Sequence, residues 1–254
     1  MANDGYIGYD TAKINDLMTK IHTSTTSLKS KFTTGWSTLQ TEMRTLWNGP
    51  DEFKNEVLYA KDVQTLWESV FKASQVYCSN MHMLGESYDK SVETNSIDGS
   101  NVDMSTKVQL KKDPMEGLQA GSLNLVKETV WKSNGNPVGV KPGADESLST
   151  DIVKYHKGLR TLCTSLYSQM ETTAAQAFTG GEQEAEIKKY TAKIKSILEN
   201  MTDNVKAILE ALYEKAGTLE SKAKDIATKL GTATVSEDQG LQKIKSNSLG
   251  SQEQ

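Results

Sequence analysis

Between Asp10 and Asn95 the apolar and small residues fall into two long runs at alternating steps of three and four. The first run is Ile14, Leu17, Ile21, Ser24, Leu28, Phe32, Gly35/Trp36, Leu39, Met43 and Leu46. This spacing is a heptad seam rather than a broad globular face, and it predicts a helix from an Asp10 cap to Leu46. The second run is Phe53, Val57, Ala60, Val63, Trp67, Val70, Ser74, Tyr77, Met81, Leu84 and Tyr88, predicting a helix from Pro50 to about Asn95. At 1.5 Å per residue the two helices are roughly 55 and 65 Å long. Helices of this length with one apolar stripe need partners to cover it.

A sharp turn separates the two runs, at Leu46-Trp47-Asn48-Gly49-Pro50-Asp51-Glu52-Phe53. Trp47 closes the first stripe. Gly49 can take the left-handed backbone conformation that ends a helix, and Pro50 fits the first position of the next helix, where its missing N–H costs nothing. Asp51 and Glu52 are expected to place negative charge at the positive end of the new helix.

Beyond residue 96 the pattern changes. Asp98-Gly99-Ser100-Asn101 is a turn cluster, and Asn134-Gly135 and Pro142-Gly143 are further turns. Val102/Met104, Val108/Leu110, Leu123/Leu125 and Val130-Trp131 are short apolar alternations, so residues 97–148 read as a small irregular or β-containing insert. Helical pattern returns after a Ser149 cap with Ile152, Tyr155, Leu159, Leu162, Leu166, Met170, Ala174 and Ala177. Phe178-Thr179-Gly180 then stands where Trp47-Asn48-Gly49 stood. A second long stripe follows, from Ile187, Tyr190, Ile194 and Ile197 to Leu230, before a Ser-, Gly- and Gln-rich tail over 231–254, expected to be disordered. The chain therefore divides into a first hairpin (1–96), an insert (97–148), a second hairpin (149–230) and a tail. The halves share a plan rather than residue identity.

A Trp-x-Gly bend between two heptad-patterned helices resembles the WXG family of small helical-hairpin proteins, the Esx-like substrates of bacterial type VII secretion. The resemblance covers roughly residues 10–95. It implies an all-α fold in which two long antiparallel hairpins pack as an elongated four-helix bundle, here with both hairpins on one chain. It implies partner recognition at the bends, by Trp47, Asn48, Gly49, Phe178, Thr179 and Gly180, with packing of the turn as the alternative role for Trp47. The implied partners are the secretion ATPase, an effector or another WXG-like protein, although internal pairing of the two halves would allow a monomer. Substrates of this route often carry Tyr-x-x-x-Asp/Glu after the second helix. Tyr88 with Glu93 is a degenerate version, one residue too long.

Charge and composition narrow the alternatives. With 29 Lys+Arg against 33 Asp+Glu the formal charge is −4, which leaves no cation excess to neutralise phosphates and disfavours nucleic acid. No apolar run approaches the ~18 residues of a membrane span, and residues 1–10 lack a basic-then-apolar leader. The expected location is outside the cell by a signal-peptide-independent route, or the cytoplasm if the chain is an adaptor. Cys78 and Cys163 are expected as free core thiols. The three histidines form no metal-binding pair, Met81-His82-Met83 offers too few ligands, and Gly180-Gly181 lacks the Lys-Ser/Thr of a phosphate loop. The expectation is a non-enzymatic protein without cofactor or metal. Trp131, on no stripe, is either the insert's own core or an exposed contact. The alternative function is a structural or surface-interaction protein, a virion or cell-surface spacer with a rod-like bundle.

Overall fold

The computed structural model describes residues 8–95, 108–133, 135, 137–141, 143–179, 185–196, 200, 221–222 and 225. Outside them lie Val102, Met104, Gly180, the stripe from Ile197 to Leu230 and the tail. The described chain is mostly helical. Its elements are β1 (Gly8–Tyr9), α1 (Thr11–Leu46), β2 (Trp47–Asn48), α2 (Pro50–Asn95), β3 (Gly139–Val140), α3 (Ala144–Ala177) and β4 (Phe178–Thr179). Residues 185–196 are also helical.

The first helix begins and ends where its stripe does. The Asp10 carboxylate accepts from the Lys13 backbone N–H, closing one of the open donors of the first turn. Every predicted apolar position from Ile14 to Met43 is buried, except that Ser24 and Gly35 are half-buried, with Thr25 and Trp36 taking the core places beside them. The seam is wider than predicted, because α1 packs against both α2 and α3 and also buries Asn15 and Met18. On α2 the stripe is likewise widened by Glu52, Glu56, Tyr59, Leu66 and Cys78.

The bend corrects one expectation. Helix α1 ends because Trp47 turns to extended backbone (φ −137°, ψ 117°), not because Gly49 becomes left-handed. Gly49 is closely approached instead: a Cβ there would sit 3.2 Å from Cγ1 of the exposed Val138, which would have to shift by a few tenths of an ångström. The start of α3 is a second correction. It lies at Ala144 rather than after Ser149, with left-handed Gly143 (φ 75°) leading into it. Residues 144–149 carry no apolar stripe, so their helicity is invisible to periodicity.

The two bends are built reciprocally. At the first, β2 pairs antiparallel with β3, with Trp47 opposite Val140 and Asn48 opposite Gly139. At the second, β4 pairs with β1, with Phe178 opposite Tyr9 and Thr179 opposite Gly8. The strand entering each helix thus pairs with the strand leaving the other, so α1 and α3 run antiparallel. Gly8 to Gly139 and Trp47 to Phe178 are both steps of 131 residues. The adjoining bonds repeat the step: Asp10 N–H donates to Ala177 O at 2.8 Å, and Lys141 N–H donates to Leu46 O at 2.8 Å. Between the bends α1 and α3 approach closely, since a Cβ on Gly35 would meet the Tyr155 ring at 2.8 Å. The helical residues 185–196 lie against α2, where Tyr190 stacks on Tyr77 with ring centroids 5.6 Å apart.

Residues 108–133 take the irregular form of the two that the sequence left open. They contain no strand, and their chain runs as an extended strap along α1 and α2, from Gln109 beside Asn15 to Glu128 beside Arg44. In the insert only β3 is a strand among the described residues, and it serves the first bend. Met115, Leu123 and Leu125 are buried against the helices. Each such anchor contributes about 1.5–3 kcal/mol relative to exposure.

Candidate functional site

The residues singled out by the bend motif fall at opposite ends of α1. Trp47 is 3% exposed, so it is a packing residue of the first bend rather than a projecting contact. Asn48 is also buried, and its Nδ2 donates to Pro137 O at 3.1 Å, fixing the loop that leads into β3. A groove of about 720 Å³ opens here, lined by Arg44, Leu46, Asn48, Val138, Val140 and Lys141 among others. Val138 stands 63% exposed beside it. A partner reading this bend would meet Val138, Lys141 and the rim of α1, with Trp47 beneath as support.

The described part of the second bend is closely packed. Phe178 is buried, and the pocket it lines with Ala174, Ala175 and Ile187 holds only about 10 Å³. Thr179 contributes backbone pairing to Gly8. The structure brings Tyr88 to this bend: its ring stacks on Tyr9 at 4.7 Å and lies 6.2 Å from Phe178. The Tyr9 hydroxyl donates to Asp89. Of the degenerate signal, Tyr88 is thus half-buried in a tyrosine stack, and the Glu93 backbone continues α2, its side chain lying outside the described set. Trp131 is half-buried and does not belong to the main core cluster.

A buried acidic cluster beneath the first bend is absent from the sequence reading. Arg44 makes a two-pronged bond to Glu56, Nε to Oε2 and Nη2 to Oε1, both at 2.8 Å, and reaches Glu128 of the strap at 3.4 Å. The Gln40 amide also donates to Glu56. Glu52, one turn earlier on α2, is 2% exposed, and its Oε1 has no hydrogen-bond partner among the described residues. Burial first, then the charge of Glu56 and a bond to it, push the Glu52 carboxyl up to about 8. Burial thus favours the protonated form of Glu52, which weakens the helix-end charge expected of it; exposed Asp51 remains. The only sequence signal was the i, i+4 spacing of Glu52 and Glu56 opposite a cation at the end of the preceding helix.

The sign of the pH effect follows. In the unfolded chain the Glu52 carboxyl releases its proton near 4.5, whereas in the folded chain it retains it to about 8. The folded state binds more protons in that interval, so this group's contribution is fully present below pH 4.5 and is lost progressively by about pH 8. The melting temperature of the Glu52→Gln variant is expected to fall less between pH 6 and pH 9 than that of the parent chain. Equal slopes in a thermal scan would contradict the assignment.

Elsewhere the chemistry is quiet. Cys78 and Cys163 are free and buried. Burial pushes both thiols up to about 12, Cys78 with help from the Asp113 carboxylate, so neither is activated as a thiolate. Between α1 and α3 a cavity of about 380 Å³ is lined by Gly35, Leu39, Glu42, Asp151, Tyr155 and Leu159 among others. Burial and then the Asp151 charge raise the Glu42 carboxyl. Among the described residues no three His, Cys, Asp or Glu side chains are placed to share a metal ion. Comparison of the chain with protein-family models, with curated proteins and with solved structures finds no match.

Proposed function

We propose that this chain is a tandem WXG-like protein of bacterial type VII secretion, carrying on one polypeptide the two hairpins that pack as an elongated four-helix bundle. It acts without catalysis, as a secreted substrate or as an adaptor for a larger effector, through helix-face and bend contacts. One observation carries the reading: the two bends, Trp47-Asn48 and Phe178-Thr179, are each clasped by the entry strand of the other half at a constant step of 131 residues. Two bends that complete each other across the chain are what a fused pair of hairpins requires. The first bend, with its open groove, is the surface offered to the secretion ATPase or effector, and Val138 and Lys141 are the contacts at its rim. No helix among the described residues is long and apolar enough to cross a membrane.

The test is an immunoblot of native-host culture supernatant, with and without the type VII ATPase and with a cytosolic lysis control. ATPase-dependent appearance is expected for a substrate. Retention in both strains removes that role and leaves the adaptor, which should then copurify with an effector. The tandem reading separately expects a monomer of 27.9 kDa by light scattering. An obligate dimer would mean that the stripes face another chain.

A further inference from the structure

The strap is held in an unusual way. Its backbone is bound by helix side chains rather than by another backbone. Asn15 Nδ2 donates to Gln109 O at 2.9 Å, and Asn15 Oδ1 accepts from Lys111 N–H at 2.8 Å. Gln75 Nε2 donates to both Met115 O and Leu118 O at 3.0 Å. Gln64 reads both directions, donating to Gly121 O at 3.1 Å and accepting from Leu123 N–H at 2.8 Å. The two indoles finish the ladder: Trp67 Nε1 donates to Ala120 O at 3.0 Å and Trp36 Nε1 to Leu125 O at 2.9 Å.

Groups aimed at peptide N–H and C=O do not sense which side chains the peptide carries. Selectivity comes instead from the buried Met115, Leu123 and Leu125, whereas Gln119, Ser122 and Asn124 between them are exposed. Remove the strap, and polar atoms on Trp36, Trp67, Gln64, Gln75 and Asn15 lose their partners, an arrangement that favours refilling by any extended chain of the same anchor spacing.

We propose that the α1/α2 face lined by these five side chains is a peptide-binding groove, for an extended polypeptide with apolar anchors spaced as Met115, Leu123 and Leu125, and that the strap is its resident occupant, able to leave while the helices remain folded. The inference does not depend on the secretion reading. A reporter lies in place. Cys78 is fully buried on the α2 face that carries Gln64, Trp67 and Gln75, its Sγ 3.9 Å from Met18 O of α1 and within electrostatic reach of Asp113 of the strap, and Cys163 is buried on α3.

The experiment uses the full chain and measures thiol labelling of each cysteine under native conditions. Cys78 is expected to react about tenfold or more faster than Cys163, because strap opening precedes global unfolding. In a Met115→Ser/Leu123→Ser variant that difference should widen about a further tenfold. A synthetic peptide of residues 108–126 should then slow Cys78 alone. A peptide altered at every exposed position but retaining the three anchors should do the same, and one lacking the anchors should not. Equal labelling of the two cysteines in the parent chain would overturn the proposal, as would absence of peptide protection. If the double variant loses its helical circular dichroism, the strap is inseparable from the core and the proposal also fails. Leu125→Ala, a milder change, repeats the peptide test on a less perturbed chain.

Discussion

Trp36→Ala should be the most damaging single substitution in the chain. The indole is 1% exposed, packs on Tyr59 with centroids 5.2 Å apart and donates to Leu125 O in the strap. Truncating a buried Trp costs about 3–5 kcal/mol, and the orphaned carbonyl adds about 1–3 kcal/mol. Together these approach the whole stability of many domains, about 5–15 kcal/mol. Trp36→Phe restores most of the ring volume and should lose only the share due to the hydrogen bond. The denaturant midpoint followed by helical circular dichroism measures both. A loss under about 2 kcal/mol for the alanine variant would mean that the strap and the core are not joined through this side chain.

Arg44→Ala ranks second, with an expected loss of about 2–4 kcal/mol. The substitution leaves the fully buried Glu56 carboxylate without its guanidinium and adjacent to Glu52. The figure sits toward the low end of the range for broken buried pairs because Arg44 itself is 35% exposed to solvent. Two controls identify the cause. Glu56→Gln in the same background should recover most of the loss, and lowering the pH should stabilise Arg44→Ala more than the parent chain. Failure of both would assign the effect to lost side-chain packing rather than to charge.

Much of the first hairpin was legible because local signals and the long-range fold agree there. The Asp10 cap, the seam to Met43, the Pro50 start and the run to Asn95 all recur in the structure. Where they part, the cause is physical. The strap has no period to detect, since its backbone is satisfied by Asn, Gln and Trp side chains rather than by a ladder. Glu52 and Glu56 look like an ordinary solvated helix start until Arg44 is brought across the bend. Gly49 suggests a backbone role by its place after Trp47, yet it keeps φ below zero, and what approaches it closely is Val138 of the insert. Of the bend residues, the motif located the turn correctly. It did not show that Trp47 and Phe178 are covered, because what covers them comes from the other half of the chain.

The clasp between Tyr9 and Phe178 also bears on how the polypeptide matures as it is made. Tyr9 emerges from the ribosome about 170 residues ahead of the strand that receives it. At 5–20 residues per second that interval is roughly 10–30 s. The first hairpin and its strap are complete within it, because the helix side chains that hydrogen-bond the strap among the described residues lie on α1 and α2 and have already been synthesised. The backbone pairing of β1 with β4 at the second bend closes only after that, and nascent chains stalled before residue 178 are expected to hold Tyr9 on Tyr88 while the backbone of β1 stays unpaired.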